Sequence, residues 1–187
     1  MPKENITLPN VVDDRLRVYF ALWPDADIVA SLQPWLCRAQ ACCGGRTMRD
    51  ETLHMTLAFL GDIDAARVPA LIAATNERAI VPGTLALTRY GVFKKPGIVW
   101  AGPAEQGDGR DGVARINEEL WQWLQPLGFE RAEAAFSPHV TLLRNADTSV
   151  LPEAISTPIS WAYTRYALIL SEQDARGRHY RILAQTR

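Results

Sequence analysis

Two short runs constrain this chain more than anything else in its 187 residues: Leu53-His54-Met55-Thr56-Leu57-Ala58-Phe59-Leu60-Gly61 and Pro138-His139-Val140-Thr141-Leu142-Leu143. Both are apolar and strand-favouring, and turn-formers close each one (Gly61-Asp62 and Asn145-Ala146-Asp147). Successive side chains of a strand face opposite ways. His54 and Thr56 therefore share one face, with Leu53, Met55, Leu57 and Phe59 on the other. The same parity sets His139 beside Thr141, with Val140 and Leu142 behind them. Each run drives one face into a core and presents an imidazole and a hydroxyl on the opposite face. A single such histidine reads most simply as a satisfied core residue. The chain has only 3 histidines, however, and at ordinary residue frequencies chance gives two such motifs in roughly one chain in a thousand.

The order of elements repeats around the two runs. Arg15 to Trp23 has strand composition and stops at Pro24-Asp25. Asp25 is a suitable N-cap for a helix to about Ala41, with Ile28, Leu32 and Leu36 on one face. Pro34 inside it predicts a kink or an early end. A Gly44-Gly45-Arg46 loop leads to the first motif. A second helix is expected over Ala66 to Ala79, with Leu71, Ile72 and Ala74 to Ala79 inward and Pro69 in its first turn. Thr84 to Phe93 and Gly97 to Gly102 then suggest a hairpin around Lys94-Lys95-Pro96-Gly97. A third helix carries Val113, Ile116, Leu120 and Leu124 as its apolar stripe and is capped by Gly128. The second motif follows, and a closing hairpin is expected from Tyr163 to Ser171 and Arg178 to Leu183. Strand, helix, motif strand thus occurs twice, which predicts a pseudo-two-fold pair of lobes sharing one cleft.

Length and charge narrow the partners. A chain of 187 residues suits one bilobal domain over 15–187, preceded by a polar tail over 1–14. A formal net charge of −1 excludes a general polyanion binder, so any nucleic-acid contact is local, at an end or a small site. Cys37, Cys42 and Cys43 form neither a disulfide framework nor a zinc ligand set. The opening residues lack the layout of a signal peptide, and no apolar run approaches the length that spans a membrane. The expectation is a reduced, cytoplasmic protein with no membrane association, monomeric, and needing no metal or cofactor.

Two histidines near their ordinary pKa can act at neutral pH as one acid and one base. Two hydroxyls beside them can hydrogen-bond the non-bridging oxygens of a phosphate. That set fits in-line cleavage of a phosphodiester, one imidazole taking a proton from water and the other giving one to the departing oxygen. On chemical grounds the two roles are interchangeable.

The motifs His54-Met55-Thr56-Leu57-Ala58-Phe59-Leu60-Gly61 and Ser137-Pro138-His139-Val140-Thr141-Leu142-Leu143-Arg144 resemble those of the 2H phosphoesterase superfamily. More narrowly, the chain resembles the bacterial RNA 2′,3′-cyclic phosphodiesterases, formerly described as 2′-5′ RNA ligases. The likeness extends to Arg17-Val18-Tyr19-Phe20-Ala21-Leu22 and to Ala175-Arg176-Gly177-Arg178. It implies an α+β bilobal fold, antiparallel sheets flanked by helices around a central cleft. It also implies opening of 2′,3′-cyclic phosphate ends, on RNA or on small cyclic nucleotides, to 2′-phosphates. By the same resemblance His54 donates a proton to the leaving 3′ oxygen, His139 activates water, and Thr56 and Thr141 hold the phosphate. Two rivals stay open: 2′-5′ joining of RNA ends by the reverse chemistry, and a module that binds a phosphate or nucleotide end without turning it over.

Other residues carry two readings each. Arg144 matches an arginine that the family places near the nucleotide, yet strict alternation sets it opposite His139. It reaches the cleft only if the strand bends. Phe20, on the first strand, could stack a base or belong to the core. Arg46, Arg49, Lys94 and Lys95 could meet RNA phosphates or face solvent. His179 belongs to no His-x-Thr pattern, and a zinc site built from all three histidines lacks the usual short ligand spacings.

Overall fold

The computed structural model describes residues 14–153, 157–174 and 177–187. All but Asp14 of the expected N-terminal tail, and Ala175 and Arg176 of the closing hairpin, lie outside the described residues. The largest sheet runs β10-β9-β1-β3-β7-β6-β5, with the short β2 also paired to β7, and every pairing is antiparallel. Its two halves are built on the motif strands β3 (Met55–Asp64) and β7 (Val140–Arg144). On one side β3 is flanked by β1 (Arg15–Leu22), β9 (Ala167–Asp174) and β10 (Gly177–Gln185). On the other, β7 is flanked by β2 (Arg46–Thr47), β6 (Ile98–Gly102) and β5 (Arg89–Phe93). The halves meet at one pair, Met55 with Val140. Beyond it they diverge, and the cleft opens between them.

The helices hold the halves together by crossing over. Helix α1 (Ala26–Cys43) leads into β3 but packs on β7, and α3 (Asp108–Leu124) leads into β7 but packs on β3. Asp25 caps α1 as expected, its Oδ1 accepting from the Ile28 amide at 2.9 Å. The early end expected at Pro34 does not occur, and α1 runs 18 residues from Ala26 to Cys43. Pro34 lies on the exposed side, where water can meet the carbonyl left without its donor, while Leu32, Trp35 and Leu36 are buried on the other. Each of those side chains contributes ~1.5–3 kcal/mol, which together exceeds the ~3 kcal/mol a mid-helix proline costs. The Tyr90 hydroxyl on β5 donates to the Trp35 carbonyl at 3.0 Å and ties α1 to its half.

In α3, Val113, Ile116, Leu120 and Leu124 are all buried, and Gly128 takes the left-handed conformation just past the end. The second helix is shorter than the alanine run suggests. A 3-10 turn covers Ala65–Arg67, α2 spans Val68–Glu77, and Ala79 is exposed beyond it. The expected Thr84–Phe93 strand divides at Thr88. Its first part is β4 (Gly83–Leu87), which pairs with β8 (Ile159–Tyr163) in a separate two-stranded sheet. Only Arg89–Phe93 forms the hairpin with β6. No helix among the described residues is long and apolar enough to cross a membrane.

Candidate active site

His54 and His139 each stand one residue before the start of their motif strand. The Met55–Val140 pair turns both apolar side chains into the core, both fully buried. The residues on either side of it, His54 and Thr56, His139 and Thr141, therefore face the other way, and all four line one cleft of about 750 Å³. The rings are anchored alike: His54 Nδ1 is 2.7 Å from the Thr52 carbonyl, and His139 Nδ1 is 2.7 Å from the Ser137 carbonyl. A carbonyl only accepts, so in both rings Nδ1 carries the proton and Nε2 is left to exchange one with a ligand.

The strands do not alternate strictly beyond the threonines. Along β3 the partner of Phe20 is Ala58 and that of Ala21 is Thr56, so Leu57 is an extra residue. Along β7 the partner of Val99 is Leu143 and that of Trp100 is Thr141, so Leu142 is an extra residue. These are β-bulges at matching places in the two motifs, and each reverses the parity of the residues after it. Leu57-Ala58 and Leu142-Leu143 are accordingly buried in succession. Arg144 is turned into the cleft, as is Phe59, its counterpart five residues after the histidine. Phe59 is a correction, since alternation assigns it to the core and it is 48% exposed. Both bulged carbonyls have donors: buried Asn117 of α3 reaches the Leu57 carbonyl at 2.7 Å, and the Met48 amide reaches that of Leu142 at 2.8 Å.

The electrostatics of the site are set by burial and by arginine. His54 is packed by Trp23, stacked at 5.7 Å and 6°, by Tyr19 at 5.0 Å and by the edge of Tyr180 at 5.2 Å. Burial pushes its pKa down to about 4, with the charges of His139 and Arg144 adding to the effect and the Thr52 carbonyl opposing it. His139 meets the edge of Phe93 at 4.9 Å and lies 5.9 Å from Trp100. Its pKa is also lowered by burial and by Arg144, against the hydrogen bond to Ser137. The cleft is basic: Arg17, Arg46, Arg49, Arg144 and Arg178 line it, and no carboxylate does among the described residues.

Phe20 is corrected outright. It is fully buried, edge-on to Trp123 and Tyr166, on the core face of β1 with Leu16, Val18 and Leu22. The cleft face of β1 is the other one, carrying Arg17 and Tyr19. Lys94 and Lys95 are exposed at the β5–β6 turn and do not line the cleft. His179 also lies outside it, 3.6 Å from Glu172 and 3.8 Å from Asp174. Among the described residues no group of three or more His, Cys, Asp or Glu side chains is placed to hold a metal ion. Motif spacing does not single out Tyr19, Trp23, Phe59 or Tyr180. A signal for the first two exists all the same: an aromatic and basic odd face against an all-apolar even face in Arg15 to Trp23 marks which side of β1 meets the cleft.

Residues 22–100 match the family described as LigT-like phosphoesterase. The chain is 31% identical over 163 residues to the RNA 2′,3′-cyclic phosphodiesterase of Escherichia coli, covering 87% of this chain and 90% of that protein. It is 27% identical over 132 residues to the protein of the same name from Archaeoglobus fulgidus, covering 69% and 72%. Its fold superposes on the crystal structure of E. coli LigT complexed with 3′-AMP with a TM-score of 0.77, at 28% identity, over 91% of this chain and 97% of that one.

Proposed function

The chain belongs to the LigT-like phosphoesterase family, with the RNA 2′,3′-cyclic phosphodiesterases as relatives, and we propose that it opens 2′,3′-cyclic phosphate ends of RNA to 2′-phosphates by metal-independent two-histidine catalysis. His139 Nε2 takes a proton from water as the water oxygen bonds to phosphorus. The bond from phosphorus to O3′ breaks on the opposite side, and His54 gives O3′ its proton. The products are a 2′-phosphate and a 3′-hydroxyl. Thr56 and Thr141 donate to the non-bridging oxygens, and Arg144 offsets charge that develops on them.

The observation that carries this reading is the matched anchoring of the two rings, each Nδ1 held 2.7 Å from a carbonyl two residues upstream with Nε2 left for the substrate. The stronger depression of His54 suits the same division of labour, because the more acidic imidazolium gives up its proton more readily. The anionic substrate then restores part of the proton affinity that burial removes.

The direct assay offers the purified protein an oligonucleotide ending in a 2′,3′-cyclic phosphate. The expected product carries its phosphate at the 2′ position. EDTA leaves the rate unchanged. A 3′-phosphate product would reverse the leaving group, and strong inhibition by EDTA would replace the two-histidine scheme with a metal-dependent one.

A further inference from the structure

Five arginines line the cleft, and three of them are engaged by the protein. Arg17 pairs with Asp62 at 3.4 Å and lies over the Phe59 ring. Arg49 pairs with Glu51 at 3.2 Å and also donates to the Arg178 carbonyl. Arg178 donates to the Ser171 hydroxyl at 3.0 Å. Arg46 and Arg144 have neither a carboxylate nor a hydrogen-bond acceptor among the described residues, and they are direct cross-strand partners in the β2–β7 pair. Partnered positions on an antiparallel pair hold their side chains on the same face, with Cβ atoms about 5 Å apart, and like charges there repel.

The backbone enforces this juxtaposition. Gly45, at φ +81°, leads into β2 so closely that a Cβ would stand 2.7 Å from the Arg144 carbonyl oxygen. The Met48 amide then bonds the Leu142 carbonyl just beyond. Arg46 therefore cannot slide away from Arg144. Two arginines without carboxylate partners, at cross-strand positions and lining one cleft, form a site for two negative charges. Arg144 stands on the motif strand β7 itself and lines the cleft with both imidazoles, which assigns it to the reacting phosphate. Arg46 stands on the neighbouring strand β2, off the two motif strands, and lines the cleft beside Arg144.

We infer that Arg46 binds the phosphodiester on the 5′ side of the terminal nucleotide, so that the enzyme selects oligonucleotide ends over 2′,3′-cyclic mononucleotides. The charge count agrees. A cyclic mononucleotide with a free 5′-hydroxyl brings one negative charge for two guanidiniums, and one more nucleotide supplies the second.

The inference rests on the phosphodiesterase reading, and one experiment separates the two. Uridine 2′,3′-cyclic phosphate and the dinucleotide UpU bearing the same cyclic end are compared for the native protein, Arg46→Gln and Arg46→Lys. The native protein is expected to show kcat/KM at least tenfold higher on the dinucleotide. Arg46→Gln should bring the two substrates within threefold of each other, mainly through KM, and Arg46→Lys should keep an intermediate preference. The salt dependence of dinucleotide binding should also flatten in Arg46→Gln, its logarithmic slope falling by about 0.7. Native activity on both substrates without preference overturns the inference alone. So does an equal loss on both in Arg46→Gln, which would assign Arg46 to the reacting phosphate. A native protein inactive on both substrates removes the phosphodiesterase reading itself.

Discussion

The two motif strands share one backbone design and differ in their surroundings. Each places a histidine before its first residue, a threonine two positions on and a bulge at the following leucine. Each hands its imidazole Nδ1 to a carbonyl at the same distance. After the bulge the halves part: β3 delivers Phe59 to the cleft and β7 delivers Arg144. Around His54 stand Tyr19, Trp23 and Tyr180, whereas Arg46 stands across from Arg144. Near-symmetry of the backbone presents two imidazoles anchored alike, and the side chains that break it set an aromatic ring at one position and a guanidinium at its counterpart. The proposed reaction, with distinct attacking and leaving oxygens, calls for both features.

The most severe way to break this comparison is to delete one histidine at a time. His54→Ala and His139→Ala should each lower kcat by at least about a hundredfold, the loss expected for a positioned acid or base. The double variant should lose little more than the worse single one, because the two act as a unit. Activity that survives either single change would make the pair unequal and remove that residue from the proton transfers.

The two imidazoles should also separate by pH. The folded pKa of His54 is about 4, below the ordinary value of 6.5. As pH falls from 6.5 towards 4 the unfolded chain therefore takes up this proton first, and stability is lost across that window while being fully present above it. The shift corresponds to a loss of at most ~3 kcal/mol from His54. His139 contributes in the same direction. Denaturant melts at pH 7 and pH 4.5 should show this slope, and His54→Gln should flatten it more than His139→Gln does. An identical flattening in both would erase the difference in burial between the two rings. In kinetics, both limbs of the kcat/KM profile, which report the free enzyme, should lie below pH 6.5.

Much of this is legible in the residues. Two His-x-Thr runs at strand parity pick out four side chains that the fold brings to one cleft, and the repeated order of elements implies lobes facing it. Asp25 and the α3 stripe behave as their types dictate. The failures of strand parity come from the bulges, since one extra residue inverts every later side chain and nothing in Thr56-Leu57-Ala58 announces it. For that reason alternation assigns Phe59 to the core and leaves Arg144 needing a bend to reach the cleft. Phe20 is a different kind of error. The alternation Leu16, Val18, Phe20, Leu22 already marks it as core, and its aromatic character distracts from its position. The uninterrupted α1 shows tertiary burial overriding a local helix breaker.

The counterparts Arg144 and Phe59 can be tested against each other. Arg144→Gln should cost about tenfold to a hundredfold in kcat/KM, as expected for a charge-assisted hydrogen bond to phosphate. It should also move both limbs of the pH profile to higher pH, because the Arg144 charge lowers both imidazoles. Phe59→Ala should raise KM by roughly tenfold, in keeping with ~1–3 kcal/mol for a stacked base. It should leave both limbs in place. A pH shift in Phe59→Ala, or none in Arg144→Gln, would mean that the two positions do not divide stacking and charge between them.

The finest distinction concerns how each bulge is held. The Leu142 carbonyl accepts from a main-chain amide, that of Met48, which no substitution short of proline removes. The Leu57 carbonyl depends on a side chain: Asn117 on α3, whose Oδ1 accepts in turn from Arg131 at 2.9 Å. Asn117→Ala should therefore leave a carbonyl in the core without a donor and lower stability by ~1–3 kcal/mol. Asn117→Asp should do worse, since a carboxylate cannot donate and its charge would be buried. Because this bulge aims Phe59, Asn117→Ala should also raise KM towards the value for Phe59→Ala, while Arg144 keeps the pH limbs where they are. Unfolding by denaturant together with one kcat/KM profile reads both effects. A stability loss with no change in KM would show that the β3 bulge survives without Asn117, and that the packing of Leu57 and Ala58 alone is enough to turn Phe59 into the cleft.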